Sequence, residues 1–278
     1  MTLHTQNKLL LGFSIASALT SVLFIVTGIA RFIESPDAFL QLLYDPITGK
    51  DFTLLQLLTE DNRLNIFLSL AVFSLCTPIA GFAVYFSFEK TKSPEIIYYI
   101  AILVGIFAES LRLCIPLFAS DGEFSGLIRT VGKFAFFGQM QVILAILILA
   151  VVSVDDESRD SHKYSGVISV VSLIFAMIIP MNTINALEYF SPQYAFESLF
   201  TVIRIIFIVA CFFAMFFSPK SKKSPDYKKA SQNFFITCAG YALLLHCTSF
   251  IVFFIGLLFF IVGTAQFLKN LHNYYMWK

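Results

Sequence analysis

The stretch Gly105–Ala119 reads GIFAESLRLCIPLFA. It closes an apolar run that begins at Ile96, and it carries an acid and a base, Glu109 and Arg112, in a segment otherwise fit only for lipid. Gly105, Glu109, Arg112 and Pro116 follow one another at spacings of four, three and four, so a helix places them on one face. A charged side chain at the centre of a bilayer costs about 3 kcal/mol on insertion scales. Such a pair has to turn inward and find partners. The remainder of the chain is a set of similar apolar runs able to pack around it, and this sets the expected fold class: all-α, a polytopic transmembrane helical bundle.

Composition agrees. Of 278 residues, 58% are hydrophobic and 13% are charged, where an ordinary soluble domain carries about 25% charge. There are 33 phenylalanines, and the mean hydropathy is +0.80. The formal net charge of +1 argues against a nucleic-acid binder. Cys76, Cys114, Cys211, Cys238 and Cys247 all lie inside apolar runs, with neither metal-ligand spacing nor a loop pair suggesting a disulfide. They read as small buried hydrophobes. The first run, from Leu9 to Ala30, is longer than a signal-peptide core and is followed by more spans, so it reads as a retained helix.

Spans are expected at about 9–30, 64–88, 96–118, 127–152, 166–186, 195–217 and 234–268. The last is too long for one upright crossing. As a single helix it would reach about 50 Å, against a hydrocarbon core of about 30 Å. It either protrudes or breaks near His246–Ser249. Seven crossings are the main reading, and a hairpin in the last run gives eight. Lys220, Lys222, Lys223, Lys228 and Lys229 give the strongest orientation signal. The positive-inside rule then puts residues 1–8, 89–93, 153–165 and 218–233 in the cytoplasm. Seven crossings place the N terminus inside and the C terminus outside, against the preference of Lys269 and Lys278. The expected location is an integral position in a bacterial cytoplasmic membrane. The connection 32–63 contains an amphipathic segment, Asp51–Glu60, that reads as an interfacial helix or as a lid over an outer cavity.

Three prolines punctuate the spans. Pro78 predicts a kink where Thr77 or Ser74 compensates the lost backbone bond. Pro116 loosens the outer end of its helix, and Pro180 bends the span 166–186 just before Asn182, Asn185 and Glu188. Pro94 and Glu95 suit a first helical turn.

With this topology Glu109, Arg112, Arg129, Lys133, Asn182, Asn185, Glu188 and Arg204 lie at similar height in four spans. They are the candidate ligand-binding residues of a polar pocket beneath the outer surface. The bases Arg112, Arg129, Lys133 and Arg204 favour a small anionic ligand: a carboxylate, a phosphate or a lipid headgroup. The plain alternative is that Arg129, Lys133 and Glu188 snorkel to the interface, while Glu109 and Arg112 form a structural pair.

Three functions fit these features. A binding or sensory module would need a cytoplasmic or membrane protein partner for its output. A transporter or permease for an anionic solute would use the kinked spans. An intramembrane enzyme acting on a lipid or protein substrate would draw on Cys114, Arg204 and His246. No catalytic motif, Walker loop, HExxH sequence or metal-ligand cluster is present in the sequence. No lysine sits at mid-depth of the last span for a retinal link, and no paired intramembrane histidines suit haem. The expected cofactor and metal content is none. Membrane lipids are the expected surroundings and partners.

Overall fold

The computed structural model describes residues 3–43, 63–89, 93–118, 125–154, 161–183, 186, 190–247 and 249–276. The expected interfacial segment at 51–60 lies outside them. The described chain is almost entirely helical: α1 (Leu3–Glu34), α2 (Pro36–Leu43), α3 (Arg63–Phe88), α4 (Pro94–Ser110), a 3₁₀ turn (Leu111–Leu113), α5 (Cys114–Phe118), α6 (Ser125–Val154), α7 (Ser161–Ile178), α8 (Glu197–Phe216), α9 (Pro219–Lys223), α10 (Pro225–Leu245) and α11 (Phe250–Met276). Two short strands, β1 (Met181–Asn182) and β2 (Gln193–Tyr194), pair antiparallel. Six helices are long and apolar enough to cross a membrane, and Tyr164–Ile178 is a shorter apolar one. The chain is thus a multi-span helical membrane protein.

The helices differ in depth rather than in hydropathy. In their most apolar windows, α6 and the unit α4–α5 are 72% buried, against 28% for α1 and 22% for α8. So α4 and α6 form the centre, and α1 and α8 lie outside. Leu19, Ile79, Phe86, Ile178 and Phe217 point outward with most of their surface open. Water would penalise such a belt, but lipid tails are as apolar as these side chains.

Small residues set the close contacts. A Cβ added at Gly105 would lie 2.6 Å from the carbonyl oxygen of Gly138, and one at Gly138 would collide with the carbonyl of Gly105. The backbones of α4 and α6 therefore touch, one turn before Glu109 and one residue before Gln139. On the other side, Gly81 of α3 receives Ser14 of α1.

Each proline acts as its chemistry requires. Pro78 has no N–H for the carbonyl of Ser74. Ser21 of α1 supplies the missing donor: its Oγ donates to Ser74 O at 2.6 Å. Thr77 bonds Phe73 O instead, and α3 continues through the proline. Pro116 cannot donate to the carbonyl of Arg112, and there the helix tightens into the 3₁₀ turn. Pro180 ends α7 at Ile178, so the expected span 166–186 stops about two turns early. The chain passes instead into the β1–β2 pair, tied back by Ala195 N–H to Pro180 O.

The last run also differs from a single continuous span. It divides at His246 into α10 and α11, which pack antiparallel along their whole length. Gly240 lies against the backbone of Phe260, Gly256 against Leu244, and Gly263 against Thr237. The polar residues Lys228, Lys229, Ser231, Gln232 and Asn233 crowd the first half of α10, which is not among the six apolar helices. Consequently the end of α11 returns beside α4, where Tyr275 bonds Glu95. Asn7 bonds Glu89 O at the same end. The two described termini therefore lie at the same end of the bundle, whereas the expected seven crossings place them at opposite ends.

Candidate functional site

At the opposite end of the bundle, polar side chains from four segments form one chain of contacts. Arg112, on the 3₁₀ turn, donates from Nη1 to Glu109 Oε1 at 2.6 Å and from Nε to Phe190 O at 2.9 Å. Gln139 on α6 donates to the same Glu109 oxygen at 3.3 Å, and its own Oε1 accepts from Arg204 of α8 at 3.2 Å. Arg204 Nη1 meets Nε2 of His246, in the α10–α11 turn, at 3.0 Å. A guanidinium only donates, so this His nitrogen accepts and the ring proton belongs on Nδ1.

The charged members are deeply buried, Gln139 is half-buried and His246 is exposed. Glu109 is 0% exposed, Arg204 2% and Arg112 6%. The Gly105–Gly138 contact brings Glu109 and Gln139 within reach, and the proline-loosened turn lets Arg112 face the loop after β1. Phe190, whose carbonyl Arg112 holds, has φ 47°. A bulky residue is strained in that left-handed region, so the arginine bond helps fix a costly backbone. Two buried polar atoms in this network, Glu109 Oε2 and Arg204 Nε, have no hydrogen-bond partner among the described residues. Such atoms carry a desolvation cost unless something meets them.

Beside this network lies a cavity of about 380 Å³, lined in part by Arg112, Gln139, Tyr194, Glu197, His246 and Cys247. The volume falls within the range of small-molecule sites. Tyr194 donates its hydroxyl to Gly132 O at 3.1 Å. Burial, then the charge of Glu109, pushes its phenol upward, so it stays neutral. His246 touches solvent at the mouth. Partial enclosure of the ring and then the Arg204 and Arg112 charges lower it to about 4, in keeping with its role as acceptor. Burial pushes the Cys247 thiol up to about 12, and Cys247 Sγ lies 3.6 Å from Ser249 O, to which the thiol donates.

The eight expected site residues divide accordingly. Glu109, Arg112 and Arg204 come together. Lys133 instead reaches the carbonyl of Met177 at 3.4 Å, serving the exposed C-terminal end of α7. Arg129 is exposed. Asn182 is exposed in the β1–β2 pair, opposite Gln193. Asn185 and Glu188 lie outside the described residues. The expected excess of bases is thereby reduced: Arg112, with Arg204 behind it, faces Glu109 and Glu197. Gln139, Tyr194 and His246 are the additions. Gln139 and His246 are polar residues within apolar runs, a signal weaker than charge, and Tyr194 has no distinguishing sequence context.

A second buried ionic group occupies the other end. Glu95 is 0% exposed. Its carboxylate accepts from Lys220 at 2.9 Å, Tyr227 at 3.1 Å, Tyr275 at 2.5 Å and Ser93 at 3.1 Å. It ties the start of α4 to α9, α10 and the end of α11. Among the described residues no cluster of three or more His, Cys, Asp or Glu could hold a metal ion. Comparison with protein-family models and with curated proteins finds no match to this chain.

Proposed function

We propose that the chain is a membrane-embedded binding or sensory module whose polar cavity takes a small ligand bearing a carboxylate or phosphate group. The observation that carries this reading is the cavity itself, set against Arg112 with a second buried arginine behind it. A purely structural ion pair needs no adjoining space of about 380 Å³. A guanidinium offers a forked set of donors suited to both anions. Tyr194 and Gln139 add polar contacts on the same wall, and Glu197 at the mouth disfavours multiply charged anions. A monoanion or a zwitterion is the better match. The raised Cys247 thiol, and the position of Cys114 away from the cavity lining, give nucleophilic catalysis no support. Output would pass through a protein partner at the basic end of the bundle.

The test is thermal unfolding of the detergent-purified protein with acetate, glycine, succinate, inorganic phosphate and glycerol phosphate at constant ionic strength. A ligand at 100 times its Kd stabilises by about 2.7 kcal/mol, a readily seen shift. The comparison variant is Glu109→Gln/Arg112→Gln, which removes the anion's partner together with that partner's own counter-charge. Its loss of a shift that Arg129→Gln retains supports the reading. No shift with any of these ligands, or equal shifts in all variants, overturns it.

A further inference from the structure

A second cavity, apart from the polar one, runs between α1, α2 and α3. It measures about 300 Å³ and is lined in part by Phe24, Gly28, Phe32, Phe39, Leu75 and Leu117. Two adjacent pairs of residues form the wall between the cavities. Ile66 and Arg112 line the polar one, and Phe67 and Leu113 line the apolar one. We infer that this groove is a phospholipid site, holding one acyl chain along α1 with the phosphate at Arg31.

The lining is apolar wherever a chain would touch it. Its two hydroxyls, Ser21 and Ser74, are spent on each other: Ser21 Oγ donates to Ser74 O at 2.6 Å, and Ser74 Oγ donates to Ser21 Oγ at 2.9 Å. This pair closes the inner end of the groove with no free donor. From Ser21 to Phe32 the groove follows about 16 Å of helix. One leaflet of hydrocarbon is about 15 Å deep, so the groove spans a leaflet and stops near its floor. Gly28 opens the middle. A Cβ there would make only ordinary contact, 3.7 Å from Leu117 Cδ2, but a longer side chain would fill the space a lipid tail needs.

The outer rim carries the charge that a headgroup needs. Arg31 donates from Nε to Leu117 O at 3.2 Å, which pins the guanidinium beside the groove and leaves its terminal nitrogens without a partner among the described residues. Glu34, at the end of α1, and Asp37, in the first turn of α2, are exposed. A phosphate on Arg31 with an ammonium facing these acids matches a zwitterionic ethanolamine headgroup better than a purely anionic one. A protein segment would need neither the leaflet-length match nor this charge order.

Native mass spectrometry of the full chain, stripped of lipid and titrated with palmitoyl-oleoyl phosphatidylethanolamine, reads the site directly. One lipid should bind per chain. Gly28→Phe should weaken it at least tenfold, whereas Gly12→Phe, on the same helix where nothing lies within 4 Å of an added Cβ, should not. Arg31→Gln should weaken the phospholipid several-fold and leave palmitoyl-oleoyl glycerol, which lacks the phosphate, unchanged. Palmitoyl-oleoyl phosphatidylglycerol should bind more weakly than the ethanolamine lipid. Leu75→Trp fills the groove from α3 and gives the same reading if Gly28→Phe fails to fold. Equal lipid binding by all these folded variants overturns the assignment. So does a chain dimer that groove-filling substitutions abolish, which would make the groove an interface between copies.

Discussion

Gly105→Ala tests how the site is assembled. The added methyl would lie 2.6 Å from Gly138 O and 2.7 Å from Val142 Cγ2, where ordinary contact begins at 3.4 Å. The centre of the bundle must therefore open by about 0.8 Å locally. Overpacking of this kind costs about 1–3 kcal/mol. The same opening stretches the 3.3 Å bond between Gln139 and Glu109 beyond hydrogen-bond range, worth about 1.5 kcal/mol for a charged acceptor. Alanine returns about 1 kcal/mol of helix propensity. The net loss is about 1.5–3.5 kcal/mol. Gly12→Ala and Gly166→Ala, with nothing within 4 Å of the added Cβ, carry only the gain. Reversible unfolding of the purified protein in mixed detergent micelles, titrated with dodecyl sulfate, compares the three. Gly105→Ala should be the least stable by about 2.5–4.5 kcal/mol relative to the other two, since the propensity gain is common to all three. If all three match, α4 and α6 do not touch at this point, and the proposed convergence of Glu109 and Gln139 loses its cause.

Ser21→Ala should cost about 1–3 kcal/mol because it orphans the Ser74 carbonyl. Most of that cost should vanish beside Pro78→Ala, which restores an intrahelical donor; unfolding of the two single variants and the double variant measures the coupling. Glu95→Gln should destabilise by about 2 kcal/mol, less than a fully enclosed pair because Lys220 lies near the bundle end. It should also make the end of α11 more open to proteolysis, read as the rate of C-terminal trimming. For His246 the pH dependence has a definite sign. Its native value of about 4 lies below the ordinary 6.5, so between these values the unfolded chain binds a proton that the native chain does not. Stability falls as pH drops through this window, and His246→Gln should flatten that part of the unfolding-midpoint curve against pH.

Much of the fold is visible in one sequence because hydrocarbon is an exacting solvent. Apolar length alone marks the spans, and a charge pair such as Glu109 and Arg112 stands out because lipid makes it costly. The hairpin of α10 and α11 is less visible. His246–Ser249 holds neither proline nor glycine, and the pairing that favours it depends on Gly240, Gly256 and Gly263 meeting residues on the facing helix. For the site, charge is a sensitive sign and a blunt one. Arg129 and Lys133 carry the same signal as Arg112, but Arg129 is exposed and Lys133 reaches the end of α7. Gln139 carries less signal, yet it is the bridge between Glu109 and Arg204. Glu95 is hidden for a different reason: an acid in a first helical turn is ordinary, and nothing near it in the chain foretells Lys220, Tyr227 and Tyr275.

A single network joins α4, α6, α8 and the α10–α11 turn, and the polar site depends on it. Gln139 bonds both Glu109 and Arg204 and so links the two charges. A double-mutant cycle with Glu109→Gln and Arg204→Gln therefore tests the site most directly, read as unfolding free energy. The predicted coupling lies within about 0.5–3 kcal/mol, the range for residues in one network. Additivity within about 0.3 kcal/mol, as for independent sites, would mean that the two charges answer to separate surroundings, and the shared polar site would not exist.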